Sequence, residues 1–367
     1  MNAMEYPLKP EERVLYALRG LYQQYGYSQF KIGKFEEYDL YVRNKDFLVS
    51  DGVITFTDTD GRLMALKPDV TLSIIKNARQ TPGCVQKLYY NENVYRVSGS
   101  THCFKEIMQT GLECIGDVGL YNLCEVISLA ARSLGVIDEK YVLDLSHMGV
   151  VSALVDALDV DADTRKAVLT CIGEKNADGV RKLCPGRDID GILALIAAHG
   201  PAASVIPALR PWCQSGQAEA ALNELQAVTD ALAAEGLERV GLDFSIVNDM
   251  NYYNGIVFMG YIDGIPASVL SGGQYDKLMQ RMGKPARAVG FAIYMDLLER
   301  LGDGERPYDV DALLLYDDAD DVSAVARAVR QLTDQGKRVT AQKQIPEKLR
   351  YREVIRVKNN PDGRVTS

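Results

Sequence analysis

The chain has 367 residues, of which 47% are hydrophobic, so it can bury a large core and one or two smaller ones. Its formal charge of −9 argues against a dedicated nucleic-acid binder, because phosphate contacts need a basic surface. The charged N-terminal residues do not fit a signal peptide, and no run approaches the roughly 20 apolar residues of a membrane span. We therefore expect a cytoplasmic protein that does not bind a membrane.

The cysteines and histidines show no pattern typical of a disulfide frame or a metal site. The seven cysteines include no CxxC pair, and the three histidines lie far apart without an HExxH motif. The Walker phosphate loop and the Rossmann glycine fingerprint are also absent from the sequence. We expect reduced, mostly buried thiols, no metal and no cofactor.

The N-terminal third predicts a helix followed by short strands. Helical spacing of apolar residues covers 10–25, and two strands flank the hairpin dipeptide Asp60-Gly61. A further helix is expected to begin near Pro68-Asp69. Residues 86–97 and 106–115 then predict a pair of antiparallel strands, joined by the small polar linker "SGSTHC".

A mainly helical stretch interrupts the strands and ends at a plausible C-cap, Gly236. It covers residues 122–236, and we place a helical insertion at about 148–236 within it. Strands return at 240–247, 255–262 and 265–270. The dipeptide Asp263-Gly264 predicts a turn between the last two. The segment "PARAVGFAIYMDLLERLG" then predicts a helix over 285–302. Strands that resume after a helical insertion indicate a discontinuous α+β domain over residues 1–302.

Residues 308–367 predict the start of a small α/β unit. The stretch "YDVDALLLYDD" predicts a strand, residues 320–335 a helix, and Lys337 to Ala341 a second strand. Residues 343–364 carry seven Lys/Arg and three acids, a local charge of +4. A solvated, frayed tail is the favoured interpretation of this run, with an RNA contact as the alternative.

One predicted strand, "KEIMQTGLECIG", has the features of a ligand-binding surface. Because strand side chains alternate between faces, Gln109, Gly111 and Glu113 share one side. The glycine between two polar residues leaves a notch where a small molecule can approach the backbone. A solvent-facing strand with a packing glycine is the alternative.

Four segments, in order, resemble the core of histidyl-tRNA synthetase, a class II aminoacyl-tRNA synthetase. "LKPDVT" is similar to that family's Leu-Arg-Pro-Glu-Gly-Thr, and "NVYRVSGSTHCFKEIMQTGLECIG" to its motif 2. "VNDMNYYNGIVF" resembles the histidine-specific Arg-Gly-Leu-Asp-Tyr-Tyr-Thr-Gly, and "SGGQYDKLMQRMGKPARAVGFAIYMDLLERL" the Gly-Gly-Arg-Tyr-Asp and motif 3 region. The resemblance covers residues 10–302 and implies an antiparallel sheet with flanking helices, followed by a short part of an anticodon-binding domain at 308–367.

The resemblance implies a pocket for histidine. Asp69, Thr71 and Gln109 match groups near the ligand ammonium, and Glu113 and Tyr253 match groups that bond the imidazole, with Tyr252 beside them. Arg96 matches the cation of motif 2. A carboxylate acceptor and a hydroxyl can satisfy both ring nitrogens.

The same resemblance shows where synthetase groups are replaced. The histidine-specific arginine is Asn248, its following aspartate is Asn251, and the class-defining arginine of motif 3 is Leu297. A glutamate of motif 2 is Ser98, and a glycine of motif 3 is Tyr294, which can fill part of a nucleotide site. Amino-acid activation brings a carboxylate against a phosphate, so the loss of two cations predicts a chain without catalytic residues.

With these replacements, the sequence resembles the family of ATP phosphoribosyltransferase regulatory subunits, which is paralogous to the synthetases. The resemblance implies a non-catalytic subunit that pairs with a short-form catalytic subunit in the first step of histidine biosynthesis, takes part in feedback control by L-histidine and binds no tRNA. It also implies a homodimer, although the proline of motif 1 is Gly33. The alternatives are a divergent histidyl-tRNA synthetase, a histidine-adenylating paralogue, or a scaffold whose pocket is a relic.

Overall fold

The chain forms two compact units, Met1–Leu301 and Gly302–Ser367. The computed structural model describes residues 9–44, 52–79, 81–98, 101–214, 216–247, 252–301 and 307–357. In chain order the elements of the first unit are α1 (Pro10–Gln24), β1 (Ser28–Gln29), β2 (Phe35–Glu37), α2 (Tyr38–Val42), β3 (Thr55–Thr57), β4 (Leu63–Leu66), α3 (Thr71–Asn77), β5 (Val85–Val97), β6 (Phe104–Gly116), α4 (Leu120–Ile137), β7 (Tyr141–His147), α5 (Met148–Asp156), α6 (Ala162–Gly173), α7 (Ala177–Leu183), α8 (Asp190–Ala197), β8 (His199–Gly200), α9 (Ala202–Leu209), a 3-10 helix (Arg210–Trp212), α10 (Gly216–Ala234), β9 (Val240–Asp243), β10 (Ile256–Ile262), β11 (Leu270–Gln274), α11 (Asp276–Arg281), β12 (Arg287–Tyr294) and a second 3-10 helix (Met295–Leu301).

The first unit is built on one sheet with the strand order β1-β5-β6-β12-β11-β10-β7-β9-β8. From β5 to β7 all neighbouring strands are antiparallel. The pairs β1–β5 and β7–β9 are parallel. Helix α4 packs along β7, β10 and β12 and against α1. The largest core cluster lies where these helices cover the sheet, as a sheet with one apolar face requires.

Helix α4 is a long apolar helix of this core. Among the described residues it is the one helix long and apolar enough to cross a membrane, with a mean hydropathy of 1.3 over 18 residues. However, 61% of it is buried inside the protein. Its composition therefore follows from packing on the sheet, as in the core helix of a folded domain.

Helices α5 to α10 form the interruption between β7 and β9. The predicted C-cap of α10 is confirmed: Gly236 has φ +75°, and Leu237 N donates to Leu232 O at 3.1 Å. Glycine adopts this left-handed conformation without the Cβ penalty, which ends the helix there.

A second, small sheet has the order β2-β4-β3 and carries the predicted hairpin. Its turn has Gly61 at φ +81°, and Asp58 Oδ1 accepts from the backbone N of Asp60 at 2.9 Å and of Arg62 at 2.8 Å. The turn chemistry expected of Asp60-Gly61 is thus confirmed. The sheet leads through β4 directly into α3, which begins the candidate site.

The predicted helix over 285–302 is wrong. Residues Arg287–Tyr294 form β12, which pairs with β6 on one side and β11 on the other, and only Met295–Leu301 is helical, in a 3-10 turn. Val289 and Ile293 are four residues apart, a spacing that places them on one face of a helix and also on one face of a strand. A central strand is buried on both faces, so its apolar run cannot be told from a buried helix by periodicity.

Two strand boundaries also differ from the prediction. The strand expected at 265–270 is β11, Leu270–Gln274, although Gly264 does form a turn with φ +83°. Pro266 lies in the intervening loop, and proline cannot donate to a central ladder. The strand expected at 240–247 ends at Asp243, where the side chain accepts from Ser245 N at 2.9 Å and starts a turn.

The second unit contains β13 (Val310–Leu315), α12 (Val322–Asp334), β14 (Val339–Gln342) and β15 (Tyr351–Arg356). Its parallel sheet has the order β14-β13-β15, and α12 packs on one face. The expected strand, helix and strand are confirmed. The interpretation of 343–364 as a frayed tail is wrong for β15, where Ile355 is only 4% exposed. Charged neighbours at 352, 353 and 356 concealed an edge strand.

Candidate functional site

A row of small residues crosses the centre of the large sheet from strand to strand. Gly111 of β6 is opposite Ala292 of β12, which is opposite Ser271 of β11. On the other side Gly111 is opposite Tyr90 of β5. A Cβ at Gly111 would lie 2.2 Å from the Phe291 carbonyl oxygen and 2.6 Å from the Tyr90 hydroxyl. Only glycine fits there. The space that the sequence predicts for a small molecule at Gly111 is filled by the Tyr90 ring and the Phe291 carbonyl, and Gly111 itself does not line the cavity described below.

The next row carries polar side chains above two more glycines. Glu113 is opposite Gly290, which is opposite Gly273. A Cβ at Gly290 would lie 1.8 Å from Glu113 Oε2, and one at Gly273 would lie 2.7 Å from Tyr253 Cδ1. The carboxylate and the tyrosine ring therefore rest directly on the backbone of β12 and β11.

These rows form the floor of a cavity of about 360 Å³. That volume lies in the range of small-molecule sites. Its lining consists of Asp69, Thr71, Tyr90, Arg96, Gln109, Glu113, Tyr252, Tyr253, Met259, Ser268, Ser271, Tyr275, Gly290, Phe291, Ala292 and Tyr294. All seven residues that the resemblance assigns to histidine binding are among them.

Glu113 is the most perturbed acid of the cavity. It is 2% exposed, and it accepts from Thr71 Oγ1 at 2.8 Å and from Tyr275 OH at 2.5 Å. Burial raises the pKa of Glu113 to about 8, the two hydroxyl donors oppose the rise, and the nearby Asp69 adds to it. The carboxyl is therefore mostly protonated at neutral pH, ready to ionise when a hydrogen-bond donor or cation binds.

Asp69 and Arg96 stand near each other at the beginning of α3. Burial raises the pKa of Asp69, opposed by the hydrogen bond from Leu72 N and by the positive charge of Arg96. Asp69 Oδ1 accepts from Leu72 N at 2.9 Å, and Arg96 Nε donates to Pro68 O at 2.9 Å. These bonds fix the "LKPDVT" segment on β5, so Asp69 faces the cavity from a rigid support.

Tyrosine rings form one wall. The rings of Tyr252 and Tyr253 have centroids 4.6 Å apart, and Tyr252 and Tyr275 are 6.0 Å apart. Burial raises the pKa of each of these three hydroxyls well above its usual value. They remain neutral donors and acceptors over the physiological range, and their faces suit a flat, aromatic or cationic ligand.

Of the replaced synthetase positions, Tyr294 lies at the cavity and Leu297 does not. Tyr294 lines the cavity, and its hydroxyl lies 3.0 Å from Ser271 Oγ. Leu297 does not line the cavity; it belongs to the second 3-10 helix and packs on the main core. Asn248 and Asn251 lie outside the described residues.

Sequence reasoning missed several lining groups, above all Tyr275 and Tyr90. Tyr275 follows β11 within "SGGQYD", a motif noticed without assigning the tyrosine a role. Tyr90 reaches the site only through its register opposite Gly111. A large aromatic residue opposite a strand glycine is a known pairing, but the partner strand must be known before it can be used.

The acids of the described lining favour a cationic ligand. Burial raises the pKa of both Asp69 and Glu113, so a bound cation would favour their ionised forms, and Arg96 is the single guanidinium among the described lining residues. A phosphate-bearing ligand needs several fixed cations or backbone donors. A small amine with a ring that offers both a donor and an acceptor fits this inventory better.

Gly111→Ala is expected to lower the free energy of unfolding by about 1 to 3 kcal/mol, because overpacking forces neighbours aside. The matched control is Gly20→Ala in α1, where a Cβ meets nothing within 4 Å. That change should stabilise the protein by up to about 1 kcal/mol through helix propensity. Urea denaturation of both variants checks this; equal effects of the two changes would refute the close packing at Gly111.

The fold and the cavity define a protein of the histidyl-tRNA synthetase class, and the family model described as histidyl-tRNA synthetase matches residues 6–298. A curated ATP phosphoribosyltransferase regulatory subunit from Symbiobacterium thermophilum is 32% identical over 293 residues, which are 75% of this chain and 72% of that protein. The chain belongs to the family of ATP phosphoribosyltransferase regulatory subunits within that class. The recognition made from the four motifs is thereby confirmed.

Solved structures agree with the fold prediction. The crystal structure of an ATP phosphoribosyltransferase regulatory subunit/histidyl-tRNA synthetase from Bacillus halodurans C has a TM-score of 0.76, is 25% identical, and covers 95% of this chain and 93% of that chain. A chain of the ATP phosphoribosyl transferase (HisG:HisZ) complex from Thermotoga maritima has a TM-score of 0.62 and covers 78% of this chain and 97% of that chain. It is 20% identical, so that likeness concerns the fold alone. The class II synthetase-like α+β fold is confirmed.

Proposed function

We propose that this chain is a non-catalytic regulatory subunit of an ATP phosphoribosyltransferase, acts in the first step of histidine biosynthesis, and binds L-histidine for feedback control. One observation supports this most: the cavity retains the groups for an amino acid and imidazole, but Arg96 is the sole cation among its described lining residues. The names of the curated relatives point the same way.

Histidine suits the cavity because its ammonium group and both of its imidazole nitrogens have partners there. Its ammonium group is attracted by Asp69 and donates to the Gln109 amide oxygen. Its imidazole N–H donates to Glu113, and its other ring nitrogen accepts from a hydroxyl such as that of Tyr253. Gln109 and Glu113 are 4% and 2% exposed, so ligands that leave them unpaired lose affinity.

Histidine activation with ATP is the competing function. The reacting carboxylate and α-phosphate are both negative, and their encounter must be neutralised by fixed cations. Arg96 is the only fixed cation among the described lining residues. Leu297 is neutral and does not line the cavity. Tyr294 adds bulk to the cavity lining.

Pyrophosphate exchange separates the two functions. We expect the purified chain to show no histidine-dependent exchange of pyrophosphate into ATP, while isothermal titration detects histidine binding. Exchange at a rate well above the enzyme-free background would contradict the regulatory function. Absence of both exchange and histidine binding would leave only the scaffold alternative.

The proposed partner is the short-form catalytic subunit of ATP phosphoribosyltransferase. The curated relatives are regulatory subunits of ATP phosphoribosyltransferase, which implies such a catalytic subunit, and the Thermotoga maritima chain is part of an ATP phosphoribosyl transferase complex. Co-expression followed by light scattering should give a complex whose mass exceeds that of either component. Separate elution of the two proteins at micromolar concentration would contradict the pairing.

The chain is further proposed to form a homodimer through one face of the small sheet. We call this face the apolar face; it is formed by Phe35, Phe56, Met64 and Leu66, which are paired across β2, β4 and β3, and it carries the exposed Glu37 at its end, opposite Met64. Phe35 is 57% exposed and Phe56 37% exposed, with ring centroids 5.2 Å apart. Aromatic side chains on an exposed sheet face are typical of an interface core, and a second copy presents the same face.

Feedback control requires that histidine favours one conformation of this subunit. The proposed ligand contacts come from α3, β6 and the Tyr252–Tyr253 pair, so bound histidine holds three separate segments together. If the catalytic subunit binds this chain with different affinity when histidine is bound and when it is absent, the histidine site and the catalytic site are coupled by that difference in affinity.

A further inference from the structure

Gln274, at the end of β11, is a buried amide behind the tyrosine wall. It is 2% exposed and does not line the cavity. Its Oε1 accepts a hydrogen bond from the backbone N of Ile256, the first residue of β10, at 2.7 Å. A buried backbone N–H needs such an acceptor, and here a side chain supplies it.

Gly255 allows this bond to form. A Cβ at position 255 would lie 1.9 Å from Gln274 Oε1, so the amide passes directly over the glycine backbone. On its other side the Gly255 carbonyl accepts from Met148 N at 2.9 Å. The backbone at this point is therefore held between β11 and the beginning of α5.

Asn254 adds a second set of bonds to the same segment. Its backbone N donates to Gln274 O at 3.1 Å, and its side-chain Nδ2 donates to Asp276 Oδ2 at 3.3 Å. Its Oδ1 accepts from Lys277 N at 3.3 Å. Residues 254–256 are thus fixed along residues 274–277 by both backbone and side-chain bonds.

The fixed segment immediately follows Tyr253. The Tyr253 ring packs on Gly273, one residue before Gln274. A shift of residues 254–256 away from β11 would carry this ring off the sheet and change its distance from Glu113. The position of the tyrosine in the cavity therefore depends on the hydrogen bond that Gln274 accepts.

We propose that Gln274 is a positioning residue for ligand recognition: its amide oxygen fixes residues 254–256 and so sets Tyr253 over the cavity. This role rests on the proposed histidine site. The Gly-Gly-Arg-Tyr-Asp motif that the segment resembles has arginine at this position. Arginine has donors but no acceptor, so it cannot make this bond.

Isothermal titration with L-histidine on the full chain tests the proposal. Gln274→Met should weaken binding by about 10-fold or more, as expected for a recognition contact displaced by a fraction of an ångström. Gln274→Glu keeps an acceptor oxygen and should stay within about threefold of the unmodified chain. The control is Gln86→Met, which removes a similar bond, from Arg79 N at 3.1 Å, on exposed residues away from the cavity.

A double-mutant cycle separates positioning from a general loss of structure. If Gln274 acts through Tyr253, then Gln274→Met adds no more than about a twofold loss of affinity in a Tyr253→Ala background. The proposal is overturned if the loss of affinity in the double variant equals the product of the two single losses. It is also overturned if Gln274→Glu and Gln274→Met weaken binding equally, or if Gln274→Met leaves binding unchanged. Absence of histidine binding by the unmodified chain overturns the proposed function itself and this role with it.

Discussion

Glu113→Gln is expected to weaken histidine binding by about 10- to 100-fold, the range for a lost hydrogen bond to a charged group. The variant keeps the shape of the side chain but cannot become an anion. Glu113 is buried and accepts from Thr71 and Tyr275, and these two donors only partly offset the burial that disfavours its anion, so a donor on the ligand adds the missing stabilisation. Isothermal titration at fixed pH measures the change.

The pH dependence of the histidine affinity tests whether the Glu113 carboxyl loses its proton on binding. With a pKa of about 8, the carboxyl is largely neutral at pH 7 and must release its proton when an imidazole donor binds. The affinity should therefore rise by about fivefold from pH 7 to pH 8, in proportion to the ionised fraction. The raised pKa also means that stability from the neutral carboxyl is present at low pH and is lost as the pH rises through 8.

The matched control is Glu106→Gln, the same substitution on the same strand. Glu106 is exposed, accepts from Tyr95 OH at 3.0 Å and does not line the cavity. It should leave both the affinity and its pH dependence unchanged. An unchanged affinity in Glu113→Gln, or a pH slope that persists in that variant, would exclude Glu113 as the imidazole partner.

Phe35→Asp is expected to convert the proposed dimer into a monomer. A carboxylate on the apolar face would be buried without a partner, which costs several kcal/mol and raises the dimer dissociation constant by about 100-fold or more. Sedimentation over a range of protein concentrations measures that constant. The variant should remain folded, because Phe35 is 57% exposed within one chain.

Phe104→Asp serves as the control for the dimer. Phe104 is 74% exposed on β6, which belongs to the large sheet and contributes no residue to the apolar face, so its replacement should leave the oligomeric state unchanged. A monomeric unmodified chain, or a dimer that survives Phe35→Asp with the same dissociation constant, would place the interface elsewhere or remove it.

The sequence predicted the site better than it predicted the strands that support it. Alternation along β6 was enough to place Gln109 and Glu113 on one face, because a strand has a period of two in any context. The motif resemblance added Asp69 and Tyr253. By contrast, the sequence predicts a helix where β12 lies, because Val289 and Ile293 share a face in a helix and also in a strand.

The residues that sequence reasoning missed depend on strand register. Tyr90 lies in the cavity because it is opposite Gly111, and no local pattern reveals which strands are neighbours. Likewise the role proposed for Gln274 depends on the close approach of Gly255, which immediately precedes a different strand, β10. In β15 the charges concealed a parallel edge strand, because local charge reports exposure and carries little information on pairing.

The most direct test is to reconstitute the transferase with a short-form catalytic subunit. Its ATP phosphoribosyltransferase activity should rise well above that of the catalytic subunit alone when this chain is added, and L-histidine should inhibit the complex. With Glu113→Gln the activation should remain while inhibition requires about 10- to 100-fold more histidine, in line with the weaker binding. A catalytic subunit whose activity does not change on addition of this chain would contradict the regulatory function.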